Sequence, residues 1–127
     1  MTTAHPPLFP AVPLPTDTSP PGCGVALSLV AQDVDLALRL ASLRPTGENA
    51  DALRERLRGH IRAYADAAGT YAHGLADGRA RDISLSTVGH ARAVAADPVH
   101  DPVANLRLLA KAAQILARYA AAQRGAR

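Results

Sequence analysis

The sequence has little of three things that small proteins often rely on: cysteine, aromatic side chains and long apolar runs. A single cysteine, Cys23, cannot form an internal disulfide, so the sequence predicts a protein of the reducing cytoplasm. Aromatic residues make up only 3% of the chain and tryptophan is absent, which leaves few rings for stacking on single-stranded nucleic acid. No segment approaches the roughly 18 uninterrupted apolar residues of a membrane span.

Proline is concentrated near the N-terminus, where it predicts a leader without regular structure. Seven prolines lie within residues 1–24, and each fixes φ and removes a backbone donor. We therefore expect a flexible leader over 1–24 and one helical domain over 25–124, because 127 residues suffice for one domain. The apolar side chains of the leader leave open whether it docks on the domain or on a partner: Leu8, Phe9, Val12 and Leu14.

The stretch from Asp101 to Gln123 predicts one long helix, with Asp101 as its N-cap and Pro102 in the first turn. Apolar residues occupy about two thirds of its circumference at about 100° per residue, so we expect other helices to cover it on more than one side. Its broad apolar face comprises Val103, Leu106, Leu109, Ala110, Ala113, Leu116, Ala117 and Ala120, and a second, adjoining face comprises Leu108, Ile115 and Tyr119.

Three further helices are predicted from apolar residues at three- and four-residue steps. They run from Val25 to Leu43, from Ala50 to about Asp77, and from a cap at Ser84 or Ser86 to about Ala96. The second helix has the most regular seam, which is typical of an antiparallel bundle: Leu53, Leu57, Ile61, Tyr64, Ala68, Tyr71 and Leu75. The expected fold is all-α, a four-helix up-and-down bundle behind the Pro-rich leader.

Two surfaces are candidates for contact with another protein or with a second copy of the chain. One is the face of the last helix that carries Leu108, Ile115 and Tyr119, because three short partner helices leave part of it open. The other is a small-residue face of the second helix around Gly59 and Ala63, which admits a close neighbour but is equally compatible with simple solvation. We expect a homodimer or a complex with another protein, and no membrane association.

Basic residues form two stripes with different surroundings. Arg54, Arg58 and Arg62 each have an acidic residue within helical reach, namely Asp51, Glu55 and Asp66, so we interpret them as a locally neutralised, solvated face. Arg107, Lys111 and Arg118 have no acidic residue after Asp101 to offset them. The second stripe therefore has two interpretations: cations favoured by the helix dipole, or contacts to an acidic partner or nucleic-acid phosphates. The net charge of +3 is too small to decide between them.

Residues that would serve catalysis or metal binding are few and scattered. The five histidines include no pair at i, i+4, and no His-x-x-Glu or Cys-x-x-Cys spacing occurs. A contact between His60 and His90 is conceivable only if their helices pack together. We expect a non-enzymatic protein without cofactor or metal; an enzyme or a small-ligand bundle would require a polar cavity between the helices.

Three short motifs resemble a known family. They are Leu57-Arg58-Gly59-His60-Ile61, then Val88-Gly89-His90-Ala91-Arg92 with Asp97-Pro98, then Leu108-Leu109-Ala110-Lys111 with Leu116 and Tyr119. In order and spacing they resemble a domain of unknown function from Streptomyces and related actinobacteria, whose members often carry the label natural product biosynthesis protein. The resemblance spans about Ala50 to Tyr119 and implies a genomic setting in secondary metabolism, without implying a reaction.

This chain departs from that family pattern at two places. The family has an acidic residue where His90 stands. Near the end it has a cysteine and a His-Tyr pair, where this chain has Ala117 and Tyr119. The resemblance therefore carries no functional residues over to this sequence. From the sequence we expect a non-catalytic interaction or regulatory protein. The alternative is a protein that binds nucleic acid non-specifically through Arg107, Lys111 and Arg118.

Overall fold

The computed structural model describes residues 21–125, which form four α-helices. Helix α1 spans Pro21–Leu43, α2 spans Glu48–His73, α3 spans Arg79–Ala96 and α4 spans Pro102–Gly125. No strand occurs in this part of the chain. The predicted four-helix up-and-down bundle is confirmed, whereas residues 1–20 of the predicted leader lie outside the described residues.

The start of α4 follows from its local sequence. The Asp101 carboxylate accepts hydrogen bonds from the backbone N–H groups of Val103 and Ala104, at 3.0 and 3.1 Å. These are two of the donors that the first turn of a helix leaves without an internal partner. Pro102 occupies the first helical position, where a missing N–H has no cost. The predicted N-cap at Asp101 is confirmed.

Helices α2 and α3 each begin directly after a glycine. Gly47 and Gly78 have φ values of 107° and 143°, a region that side chains with a Cβ rarely adopt. The cap at Ser84 or Ser86 was wrong, because α3 begins at Arg79 and Ser84 lies buried within it. Similarly, α2 ends at His73 rather than near Asp77, and α1 begins at Pro21 rather than Val25.

Helices α2 and α4 form the centre of the bundle. Their largest fully buried side chains are Leu53, Leu57 and Ile61 of α2 and Leu106, Leu109 and Leu116 of α4. The two helices run parallel, since Arg54 contacts Asn105 near one end and the ring of Tyr71 lies 5.2 Å from that of Tyr119 near the other. Buried alanines alternate with the leucines on both helices, and their small side chains permit close approach.

Helices α1 and α3 pack on opposite flanks of this central pair. Each contacts both α2 and α4, and no packing contact joins α1 to α3 within residues 21–125. Helix α4 is therefore covered by three helices, which confirms the expectation that it is enclosed on more than one side. None of the four helices, as far as the structure describes them, is long and apolar enough to cross a membrane.

Candidate functional site

The most buried polar group is the guanidinium of Arg54, which joins three segments of the chain. The side chain is 3% exposed. Its Nε donates to Asn105 Oδ1 at 2.7 Å, and its Nη2 donates to the carbonyls of Pro45 and Pro102 at 2.7 and 2.9 Å. Arg54 thus ties the α1–α2 connection and the first turns of α4 to α2. Its role is structural, because its donors are used within the protein.

The structure corrects the interpretation of the Arg54, Arg58 and Arg62 stripe as a solvated face. Arg54 is buried, although its predicted ion pair with Asp51 is present at 3.2 Å. The predicted pair of Arg58 with Glu55 is also present, at 3.4 Å. Arg62 instead approaches Glu55 at 3.9 Å, and Asp66 pairs with Arg92 of α3 at 3.2 Å.

A second polar cluster joins α1 to α2 around Asp33. Its carboxylate accepts hydrogen bonds from Arg56 at 3.2 Å, and Nε2 of His60 lies 2.8 Å from Asp33 Oδ2. Burial raises the pKa of Asp33, but hydrogen bonds from Arg56 and His60, with their charges, outweigh burial and hold the pKa below its ordinary value of 3.8. His60 therefore faces α1, and the conceived contact with His90, which is exposed on α3, does not form.

The lowered pKa of Asp33 predicts an acid-sensitive contribution to stability. A carboxyl whose pKa is lowered by folding stabilises the fold above its unfolded pKa, and this contribution disappears as pH falls through the folded pKa. We expect Asp33→Asn to lower the free energy of unfolding by about 1–2 kcal/mol at neutral pH. The difference from the wild type should shrink as the pH falls below about 4.

Urea denaturation at a series of pH values measures this difference. Asp35→Asn is the matched control on the same helix, because its carboxylate is 72% exposed and its one ion pair among residues 27–125 is with Arg39 at 3.3 Å. The carboxylate charge would contribute nothing to stability if the free energies of unfolding of Asp33→Asn and the wild type differed by a constant amount down to pH about 2.

The residues predicted as a contact face on α4 are unequally exposed. Leu108 is 47% exposed and lines a shallow cavity of about 170 Å³ beside the α3–α4 connection. Ile115 and Tyr119 are half-buried, and Tyr119 packs on the core. Gly59 and Ala63 of α2 are exposed, and no atom lies within 4 Å of the position that a Cβ on Gly59 would take.

Helix α1 exposes more leucine than the sequence indicated. Leu29 is 50% exposed, Leu38 is 49% exposed and Leu43 is 79% exposed. Leu29, the half-buried Leu36 and Leu43 recur every seven residues and form a leucine stripe along one flank of α1. Leu38 is nine positions after Leu29. At about 100° per residue the two side chains are about half a turn apart, so Leu38 lies on the opposite flank.

Leu38 belongs to an apolar groove between α1 and α4, which has a volume of about 450 Å³. Its lining residues are Leu27, Val30, Ala31, Val34, Asp35 and Leu38 of α1 with Gln114, Ala117, Arg118 and Ala121 of α4. We call this feature the α1–α4 groove. The sequence does not predict this groove, because Leu27, Val34 and Leu38 follow the same three- and four-residue steps that indicate a buried helix face.

The basic stripe of α4 is exposed along its length. Arg107, Lys111 and Arg118 all lie on the surface, and α4 contains no acidic residue. Within residues 27–125 none of the three forms an ion pair. Over the same residues, no group of three His, Cys, Asp or Glu side chains converges as metal ligands would.

Comparison with known proteins places the chain in a family. No curated protein and no solved structure matched it. A family model does match residues 28–125, from the second turn of α1 to the end of α4. The matched region includes the Asp33 cluster, Arg54 and the basic stripe of α4. The sequence motifs predicted a family of unknown function, and that prediction is confirmed: the chain belongs to the family of unknown function DUF6415.

Proposed function

We propose that the protein is a non-catalytic helical interaction protein that pairs with a second copy of itself through the outer face of α1 and α2. The observation that carries the proposal is the leucine stripe. Two of its members, Leu29 and Leu43, are at least half exposed in the single chain. Burying a fully exposed leucine contributes about 1.5–3 kcal/mol, so a half-exposed one contributes about half of that, which favours association.

The neighbouring surface of α2 complements the leucine stripe. Arg56, Gly59 and Ala63 follow three- and four-residue steps and therefore share a face of α2. Because Arg56 binds Asp33 of α1, that face borders α1. In a two-fold symmetric dimer, the leucines of one chain would pack against the small residues of the other, an arrangement that a self-complementary interface requires.

The α4 face with Leu108, Ile115 and Tyr119 is the second contact surface, suited to a protein partner. It offers less apolar area than the leucine stripe, because Ile115 and Tyr119 are already half-buried within the chain. The resemblance to actinobacterial proteins supports a regulatory or accessory role in secondary metabolism, and the single cysteine supports a cytoplasmic site of action.

Light scattering or sedimentation over a concentration series tests the proposed dimer. We expect the wild type to approach a dimer as concentration rises. Leu29→Glu should raise the dissociation constant at least about tenfold, equivalent to about 1.4 kcal/mol, because the charge would be buried in the interface.

Leu38→Glu is the matched control for this experiment. Leu38 is on the same helix and equally exposed, at 49% against 50% for Leu29, but it lies on the other flank. We expect the control to associate like the wild type. A wild type that remains a monomer at the highest concentration, or Leu29→Glu associating as tightly as Leu38→Glu, would exclude this interface.

The exposed basic stripe of α4 favours a second candidate function, non-specific binding to nucleic-acid phosphates. Arg107, Lys111 and Arg118 project from one helix without acidic neighbours on it. For this candidate, titration with duplex DNA should give binding that weakens steeply with salt and is lost when all three residues are changed to Glu. Binding that is absent at low salt, or that survives this triple change, would eliminate it.

A further inference from the structure

We propose that the α1–α4 groove is occupied by the chain's own N-terminal segment, residues 8–17. This contact goes beyond the proposed function, since it is made within one chain and lies on the flank of α1 opposite the leucine stripe. It gives the apolar groove a specific occupant, and it gives the segment before α1 a defined binding site.

The groove suits an apolar, extended ligand. Its α1 wall presents Leu27, Val34 and Leu38, and its α4 wall presents the small side chains of Ala117 and Ala121. Val34 and Ala117 form the buried floor, whereas Leu38 is half exposed at one end. Small residues on one wall and leucines on the other leave a channel that extended backbone with apolar side chains can enter.

Residues 8–17 have the composition and reach for this channel. They contain Leu8, Phe9, Val12 and Leu14, the apolar side chains of a segment that otherwise consists mostly of Pro and Thr. Ten residues of fully extended chain can span at most about 33–36 Å. The groove from Leu27 to Leu38 is shorter, about 17 Å at 1.5 Å per helical residue.

The N-terminal segment joins α1 close to the Leu27 end of the groove. Helix α1 begins at Pro21, six residues before Leu27 at the near end of the groove. In the proposed arrangement, residues 18–20 would reverse the chain direction and bring Asp17 to the near end of the groove. Because the ligand is tethered, its effective concentration at the groove is in the millimolar range, so a weak contact is sufficient.

Charge complementarity supports the same occupant. Asp17 is the only acidic side chain in residues 1–20. Arg118 lines the α4 wall and has no acidic partner among residues 27–125, while the other charged lining residue, Asp35, already pairs with Arg39. Docking that brings Asp17 to Arg118 would pair the one charge of the segment with the unpaired cation of the groove.

Paramagnetic relaxation measured by NMR on the full-length chain tests the proposal. Ala11→Cys provides the site for a spin label, and Cys23→Ser removes the competing thiol. We expect the label to remove most of the amide signal intensity of Leu38 and Gln114, which line the groove. Amides of α3, which makes no packing contact with α1 within residues 21–125, should keep most of their intensity.

Matched variants separate docking from random proximity of a tethered tail. Leu38→Glu should restore the signals of the groove, whereas Leu29→Glu, with equal exposure on the opposite flank, should leave them broadened. Asp17→Lys should restore them in part, and adding Arg118→Glu should bring the broadening back. Broadening that is as strong on α3 as at the groove, or that is unaffected by Leu38→Glu, would overturn the proposal.

A mixed sample tests whether the occupant comes from a second chain. Isotopically labelled chains without a spin label are combined with spin-labelled, unlabelled chains. Broadening of the groove signals in this mixture would overturn docking within one chain. Absence of dimers in the scattering experiment would leave the groove result intact, so the two proposals fail independently.

Discussion

Replacing Arg54 by methionine is expected to lower the free energy of unfolding by about 3 kcal/mol, because it removes the donor from one buried and two partly buried acceptors. Methionine keeps the apolar stem but removes the bonds to Asn105 Oδ1 and to the carbonyls of Pro45 and Pro102. Asn105 is itself buried, so water cannot readily replace the guanidinium there, and the Arg54 side chain is 3% exposed. Urea denaturation monitored by circular dichroism measures the loss.

Arg62→Met is the matched control for this prediction. Arg62 is on the same helix but is 61% exposed and approaches Glu55 at only 3.9 Å, so its loss should change stability by less than about 0.5 kcal/mol. A double-mutant cycle with Asn105→Ala should give a coupling of about 1 kcal/mol or more. Equal effects of Arg54→Met and Arg62→Met would contradict the structural role of Arg54.

The helices themselves were predictable, because their signals are local. Leu53, Leu57 and Ile61 follow helical spacing, and all three are almost completely buried. Asp101 and Pro102 predict the start of α4 through chemistry confined to one turn. Such features depend on neighbours within about four residues, which the sequence displays directly.

The polar clusters were not predictable, because their partners are distant in sequence. Arg54 and Asn105 are 51 residues apart, and Asp33 and His60 are 27 residues apart. Within α2 alone, Arg54 is one of three arginines at four-residue steps and is indistinguishable from the exposed Arg62. Only the packing of α4 against α2 selects which arginine is buried.

The exposed leucines of α1 show a second limit of sequence reasoning. Leu29, Leu38 and Leu43 all belong to apolar patterns that predict burial. Burial also requires a neighbour on each side, and within residues 21–125 α1 packs only on α2 and α4. The helix buries the narrow stripe of Val30, Val34, Ala37 and Ala41 and leaves apolar side chains on both flanks. The flank with the leucine stripe forms the proposed dimer contact, and the flank with Leu38 forms the α1–α4 groove.

The second large effect is expected at Leu109 of α4. Leu109→Ala should lower the free energy of unfolding by about 2–5 kcal/mol, because it removes apolar contacts and leaves a cavity in a site that is 0% exposed. Leu108 is the adjacent residue of the same type on the same helix, but it is 47% exposed. Leu108→Ala should therefore cost less than about 1 kcal/mol.

The comparison of these two alanine variants tests the central claim that three helices enclose α4. Urea denaturation at neutral pH gives both free energies under the same conditions. The structure predicts that Leu109→Ala is destabilised more than twice as much as Leu108→Ala. Equal losses from the two variants, or a larger loss from Leu108→Ala, would contradict the enclosed position of α4.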